Sequence, residues 1–144
     1  MNSKWVLRYM NIAKEVAKWS KDPTTKVGAI AVGANNSIIG EGYNGIPRGV
    51  QDLPSRMERP SKYLWTSHAE ENLIAHAAMS GVSLKGCTVF VTHYPCSRCA
   101  RLLINSGVSV VYHGAGITSM PSDEFQVAST MLMEAEVRSI FIAD

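Results

Sequence analysis

The feature that most constrains the fold is the spacing of three apolar, β-rich runs in the second half of the chain. These runs cover residues 87–93, 108–112 and 137–142. Each is separated from the next by a segment long enough to form a helix, and parallel strands need such a crossover. Strands that alternate with helices favour a layered α/β fold with parallel pairing in this half of the chain.

The first half of the chain predicts a helix followed by a hairpin. Apolar residues recur at helical spacing from Trp5 to Trp19, and the helix is expected to end at the Asp22-Pro23 break. Residues 27–32 and 38–43 are strand-like and flank turn-forming residues, so they predict an antiparallel hairpin. Three more helices, over residues 68–80, 95–106 and 122–135, complete the order αββαβαβαβ. Residues 44–66 have no clear period, and a loop of this length is often functional.

Composition limits the class of protein. A chain of 144 residues, 46% of them hydrophobic and 18% charged, suits one domain over residues 1–144 with a real core. The net charge of +2 is too small to indicate a nucleic-acid or membrane partner. No stretch resembles a membrane span, and charged residues interrupt any signal-like run near the N-terminus. We therefore expect a cytoplasmic protein that binds neither nucleic acid nor membrane.

Two short motifs carry the chemistry, and each lies at the first turn of a predicted helix. They are His68-Ala69-Glu70 and Pro95-Cys96-Ser97-Arg98-Cys99. Cys96 and Cys99 are three residues apart, so both project from one helix face, and the helix N-terminus favours their thiolate forms. Two thiolates and an imidazole suit Zn²⁺, and three protein ligands leave a fourth position for water. The predicted ligands of a catalytic zinc are therefore His68, Cys96 and Cys99.

Glu70 and Cys87 each have a competing interpretation. Glu70 follows the ligand His68 by two residues, so it is expected beside the zinc and its water, as an acid and base. It could instead belong to a capping box with Ser67. Cys87 would be a fourth ligand if the zinc were structural. A strand over residues 87–93 would hold it roughly 20 Å from the cysteine pair, which favours a buried free thiol.

At these motifs the chain resembles the zinc-dependent nucleoside and nucleotide deaminases, which carry an H-x-E and P-C-x-x-C signature. It is most similar to the deoxycytidylate (dCMP) deaminase branch. The further segments that carry this resemblance are Ser20-Lys21-Asp22-Pro23, Gly42-Tyr43-Asn44-Gly45 and Lys62-Tyr63. The resemblance implies a three-layer αβα, cytidine-deaminase-like fold. Its mixed five-stranded sheet would have an N-terminal hairpin and parallel later strands.

The resemblance also implies an activity. It is the hydrolysis of dCMP to dUMP and ammonia, which supplies dUMP for thymidylate synthesis. Glu70 would be the proton shuttle, and the Ala69 N–H would hold the pyrimidine carbonyl. Asn44 would contact the substrate, and Tyr94 would line the pocket.

The residues that bind the phosphate are predicted from charge alone. Lys26, with the hydroxyls of Thr24 and Thr25 beside it, is predicted as a phosphate site at the start of the first strand. Cations in the long loop compete for this role, and they are Arg48, Arg56 and Lys62.

Assembly and regulation are also implied by the resemblance. Related enzymes form homo-oligomers, so we expect an oligomer, with a hexamer favoured. Allosteric dCTP or dTTP with Mg²⁺ is a possible regulator. Residues 44–67 contain no Cys and no His, so the additional structural zinc of some members is not expected.

Three other functions compete with this interpretation. A tRNA adenosine deaminase would carry the same motifs but needs a more basic surface. A free cytidine deaminase would not be expected to have a helix over residues 122–135. A non-catalytic, zinc-stabilised interaction module would use Glu70 only as a cap.

Overall fold

The computed structural model describes residues 1–143, so position 144, the end of the predicted domain, lies outside the described residues. The elements are α1 (Ser3–Ala17), β1 (Gly28–Val32), β2 (Ile38–Tyr43), a 3₁₀ turn (Pro54–Met57), α2 (Lys62–Trp65), α3 (Ala69–Ser80), β3 (Thr88–His93), α4 (Ser97–Asn105), β4 (Val110–Gly116), α5 (Ser122–Glu134) and β5 (Arg138–Phe141). The predicted order is confirmed, with element ends shifted by a few residues. None of the helices described is both long and apolar enough to cross a membrane.

The long loop is where the sequence-based interpretation was incomplete. It contains the 3₁₀ turn and the four-residue helix α2, neither of which was predicted. Elements this short span about one turn, so they show no hydrophobic period in the sequence. The remainder of residues 44–66 is irregular, apart from a bridge that pairs Gly45 with Ser67.

The five strands form one mixed sheet in the order β2-β1-β3-β4-β5. The β1 strand pairs antiparallel with both β2 and β3, which confirms the hairpin. The β3–β4 and β4–β5 pairs are parallel, as the helix-sized crossovers require.

Alternation along the central strands divides the core into two layers. Ile30 and Val32 of β1 pack with Phe90 against α1 on one face of the sheet. Ala29 and Ala31 point to the other face, where the core includes residues of α3, α4 and α5. Successive side chains of a strand point to opposite faces. The result is the predicted three-layer αβα arrangement.

Two glycines allow helices to approach the hairpin closely from opposite sides. A Cβ at Gly28 would lie 2.2 Å from the backbone oxygen of Ala13 in α1. A Cβ at Gly42 would lie 2.4 Å from the backbone oxygen of Ala69, the first residue of α3. The second contact holds the start of α3 against β2. His68 and Glu70 are therefore placed by close backbone packing.

Candidate active site

Three donor side chains converge at the starts of two helices. His68 is the N-cap residue of α3, Cys96 is the N-cap residue of α4, and Cys99 lies in the first turn of α4. His68 Nδ1 is 3.5 Å from Cys96 Sγ and 3.3 Å from Cys99 Sγ, and the three donor atoms lie within 4.8 Å of one another. Zinc–nitrogen and zinc–sulfur bonds of about 2.0–2.3 Å fit this spacing, and the donor set is the kind that Zn²⁺ prefers.

The two thiols share their protons unequally. A hydrogen bond from the Cys99 thiol, together with the nearby His68 ring, lowers the pKa of Cys96 to about 4 although burial opposes ionisation. The same hydrogen bond to Cys96, with burial, raises the pKa of Cys99. The geometry of the pair therefore favours the thiolate of Cys96 over that of Cys99. A divalent cation at the centre of the donors would favour loss of the second proton.

Glu71 provides the cap at the start of α3. The His68 backbone N–H donates a hydrogen bond to Glu71 Oε1 at 2.8 Å. The alternative in which Ser67 caps the helix and Glu70 reaches back is therefore wrong, because the helix begins one residue later. Glu70 is left free of capping. It is 4% exposed, and burial raises its pKa to about 7 although the charge of His68 opposes the shift.

Arg98 joins the starts of the two helices. Its Nη2 donates to Glu71 Oε1 at 3.1 Å and lies 3.3 Å from His68 Nε2. A guanidinium has no acceptor, so Arg98 cannot receive the Nε2 proton of a His68 that binds metal through Nδ1. The contact that Arg98 does make is its ion pair with Glu71, the residue that caps α3.

A cavity opens over these groups. His68, Ala69, Glu70 and Cys96 lie in its wall together with aromatic and hydroxyl-bearing side chains. Loop residues 118–120 and Phe125 of α5 also line it. A small polar molecule entering this cavity would meet the buried Glu70 carboxyl and the His/Cys/Cys donors together.

The family model for the cytidine and deoxycytidylate deaminase zinc-binding region matches residues 3–115. The chain belongs to this family. An uncharacterized deaminase of Aliivibrio fischeri is 42% identical to it over 140 residues, covering 95% of this chain and 92% of that protein. Human deoxycytidylate deaminase is 39% identical over 113 residues, covering 74% of this chain and 62% of the human protein.

A solved structure supports the same assignment. The dCMP deaminase of cyanophage S-TIM5, in complex with dCMP and dUMP, superposes with a TM-score of 0.82 at 28% identity, covering 99% of both chains. The cytidine-deaminase-like fold is therefore confirmed. Zn²⁺ is the metal of this family, and the donor set described above fits it.

Ala69, Tyr94 and Asn44, which were predicted from the sequence to contact substrate, all line the cavity. Ala69 is the first residue of α3, and N–H groups in a first helical turn have no acceptor within the helix. Tyr94 packs edge-on against the ring of His113, with centroids 4.6 Å apart. Asn44 bridges two backbone groups, because its Oδ1 accepts from the Val27 N–H and its Nδ2 donates to the Thr25 carbonyl, each at 2.9 Å. One amide hydrogen of Asn44 stays available to a ligand.

The structure does not place two of the residues predicted for phosphate binding in the cavity wall. Lys26 is exposed, and neither Lys26 nor Thr24 is among the lining residues within the described range 1–143. The Thr24 hydroxyl donates to Asp22 and accepts from Lys62. The turn that starts at Asp22 directs Thr25 to the cavity in place of Thr24. The sequence does not show which of these two adjacent threonines faces the cavity.

Lys62 is in the wall but is already paired. Its Nζ is 3.0 Å from Asp22 Oδ2, and both side chains are at most 7% exposed. Burial by itself raises the pKa of Asp22, but the N–H donors of Thr25 and Thr24, together with Lys62, lower it below its usual value. The ammonium of Lys62 is therefore largely committed to holding the α2 segment.

Arg59 is the cation that sequence reasoning missed. It is exposed, lines the cavity, and makes no ion pair or hydrogen bond with any residue in the described range. Arg56 instead lies over the Trp65 ring at 3.9 Å, and Arg48 is not among the described lining residues. The sequence carries no signal that separates Arg59 from Arg48 and Arg56, since all three lie in the same aperiodic loop.

Thr118 is a second residue that no motif indicated. It lines the cavity, and its hydroxyl oxygen is buried without a hydrogen-bond partner among the described residues. A buried hydroxyl is normally satisfied. Thr118 therefore offers an unused donor and acceptor where a ligand would sit.

Proposed function

We propose that this chain hydrolyses dCMP to dUMP and ammonia. The observation that carries the proposal is the position of Glu70, which is buried beside the His/Cys/Cys donors while Glu71 does the capping. The curated relatives named deoxycytidylate deaminase and the cyanophage enzyme with dCMP and dUMP support the choice of substrate.

Glu70 would move the protons of the reaction. Zn²⁺ held by His68, Cys96 and Cys99 would supply a Lewis acid that makes a water molecule nucleophilic. The Glu70 carboxylate accepts a proton from the water that attacks C4 of cytosine, and it delivers protons to N3 and to the departing amino group. Water is consumed and ammonia is released, so atoms and charge balance. In the metal-free site, burial raises the pKa of Glu70 from its usual value, which suits a carboxyl that both accepts and donates protons.

Three further lining residues, Ala69, Asn44 and Tyr94, would orient the nucleotide. The Ala69 N–H would donate to the pyrimidine carbonyl, and the free amide hydrogen of Asn44 would reach the sugar or base. Tyr94 would pack against the substrate. These roles follow from the positions of the three residues around the same cavity.

Arg59 would recognise the phosphate. Among the basic side chains that line the cavity in the described range, Lys62 is paired with Asp22 whereas Arg59 has no partner. A guanidinium presents several donors and binds phosphate through two parallel hydrogen bonds. The proposal therefore replaces Lys26 and Thr24 with Arg59.

The proposal extends to assembly, location and regulation. A homo-oligomer, with a hexamer favoured, is supported by the exposed Trp5 and Trp19, the second of which packs edge-on against Tyr43 of the edge strand β2. The cytoplasm is the expected location of a nucleotide-metabolising enzyme. Control by dCTP or dTTP with Mg²⁺ stays a prediction, tested by adding each to the assay.

Measuring ammonia release from five substrates tests the proposed function. They are dCMP, dCTP, deoxycytidine, cytidine and adenosine in an anticodon-loop RNA. We expect dCMP to be turned over with the highest kcat/KM. Preference for RNA adenosine or for free nucleosides would refute the proposal in favour of the related deaminases. Zinc binding with no turnover of any substrate would favour a non-catalytic module.

A further inference from the structure

The helix that carries both cysteine ligands is capped from another helix. Cys96 occupies the N-cap position of α4, and its Sγ faces the metal donors. The Cys99 backbone N–H points to this Sγ and helps to lower the Cys96 pKa, but Sγ does not cap the N–H of Ser97, the first residue of the helix. A helix start whose own cap residue is used for another purpose leaves backbone donors to be satisfied elsewhere.

Glu124 supplies that missing cap. Its Oε1 accepts a hydrogen bond from the Ser97 backbone N–H at 3.1 Å and another from the Ser97 hydroxyl at 2.8 Å. Ser97 is the first residue of α4 and lies between the two cysteine ligands in the sequence. Glu124 belongs to the first turn of α5, 27 residues away and beyond the matched family region 3–115.

The two helices are also joined through the core. Ala100 and Leu103 of α4 pack in the same buried cluster as Ala128 and Leu132 of α5. The carboxylate of Glu124 is thus held on a rigid element. The hydrogen bonds from Ser97 lower the pKa of Glu124 below its usual value, so it is ionised at neutral pH.

We propose that Glu124 is a positioning residue that sets the metal affinity of the His68/Cys96/Cys99 group by fixing the first turn of α4. The carboxylate holds Ser97, and Ser97 sets the backbone between the two thiolates. Without this contact the turn frays, and ordering it again opposes metal binding. Partners that orient metal ligands in this way are typically worth about 10- to 100-fold in metal affinity.

The inference rests on the zinc site of the proposed function, but its test does not use deamination. The measurement is the zinc dissociation constant, obtained by competition with a chromophoric chelator, together with the visible spectrum of the Co²⁺-loaded protein. Glu124→Ala is expected to weaken zinc binding about tenfold and to reduce the intensity of the Co²⁺ spectrum. Glu124→Gln keeps an acceptor for Ser97 and should stay within about threefold of wild type.

Asp123→Ala is the matched control. Asp123 is an exposed carboxylate in the same first turn of α5, with no hydrogen bond or ion pair inside the described range. Its removal changes the charge of the helix start by the same amount but should leave zinc affinity unchanged. An equal loss in Asp123→Ala and Glu124→Ala would assign the effect to general charge and overturn the positioning role.

A purely structural role predicts a different result. In that case Glu124→Ala would lower the melting temperature of the metal-free protein while the folded protein bound zinc with wild-type affinity, and the proposal would be wrong. If Glu124→Ala does not fold, Ser97→Ala, which removes only the hydroxyl partner, replaces it. Zinc binding about threefold weaker supports the role, and unchanged binding refutes it.

Failure of the proposed function would be seen separately. A wild-type protein that binds zinc but does not deaminate dCMP contradicts the proposed function. The zinc dissociation constants of the variants then still decide the role of Glu124. A protein that deaminates dCMP while Glu124→Ala keeps wild-type zinc affinity contradicts only the role of Glu124.

Discussion

The site has two groups of residues, the metal end and the other end, that are built in different ways. At the metal end, the donors and Glu70 come from the first turns of two helices, and each helix carries a short contiguous motif. At the other end, Asp22, Arg59, Lys62 and Thr118 come from four separate positions in irregular or very short elements. The groups at the metal end therefore come from contiguous motifs, whereas the rest of the cavity wall is assembled from distant segments of the chain.

The largest effect is expected at the metal end. Cys96→Ala removes one of three donors, so we expect loss of bound zinc and of dCMP deamination to the detection limit. Metal analysis of the purified variant provides the measurement. Cys87→Ser is the control, because Cys87 is buried but lies outside the donor group. Zinc retained in Cys96→Ala and lost in Cys87→Ser would contradict the assignment of Cys96 as a zinc ligand.

Glu70→Gln tests whether the metal end also supplies the proton transfer. The amide cannot accept the proton of the attacking water, so kcat for dCMP should fall at least about a hundredfold. Zinc content and dCMP binding should be kept. Glu71→Gln is the matched control, since Gln can also accept the His68 N–H in a capping box. Near wild-type turnover in Glu70→Gln would show that this carboxylate is not the proton shuttle.

Lys62→Met tests the other end of the cavity, which depends on a buried ion pair between residues far apart in the sequence. Removing the cation leaves the Asp22 carboxylate buried without it, which should lower the free energy of unfolding by about 3 kcal/mol. Chemical denaturation at neutral pH measures this loss. Lys21→Met breaks the exposed pair with Asp52 and should change stability by less than about 1 kcal/mol.

The pH dependence of the free energy of unfolding follows from the same Lys62–Asp22 pair. Because the folded-state pKa of Asp22 is depressed, its contribution to stability is present above its unfolded pKa of about 4 and is lost as the pH falls through the folded value. The stability difference between wild type and Lys62→Met should therefore shrink in acid. A difference that is constant from pH 7 down to about pH 2 would exclude the ion pair as its cause.

The smallest expected effect concerns phosphate recognition. Arg59→Ala should raise KM for dCMP about tenfold, because a charged hydrogen bond is worth about 1.5–3 kcal/mol. Turnover of deoxycytidine, which has no phosphate, should be unchanged. Arg48→Ala, in the same loop but outside the described cavity wall, is the control. An equal loss on dCMP and deoxycytidine would show that Arg59 supports the loop and does not contact phosphate.

The strands and helices were largely predictable because each depends on residues that are close together in the chain. The hairpin of β1 and β2 and the crossovers through α4 and α5 follow from hydrophobic spacing and turn residues. The same is true of the donors, since Cys96 and Cys99 share a helix face by their spacing alone. The alternative capping box of Ser67 and Glu70 fits the sequence pattern, but the helix starts one residue later, with Glu71 accepting the His68 N–H.

Local residue patterns were sufficient to predict the layered fold and the identity of the groups at the metal end. Helical and strand periods, and residues three apart on one turn, are local geometry. Contacts between distant segments, in contrast, pair Lys62 with Asp22, leave Arg59 without a partner among residues 1–143, and let Glu124 cap the cysteine helix. The physical reason is separation: the Lys62–Asp22 contact spans 40 residues and the Glu124–Ser97 contact spans 27. At such distances the partner of a charged group is set by the packing of the elements that carry it, and no periodicity in the chain encodes that choice.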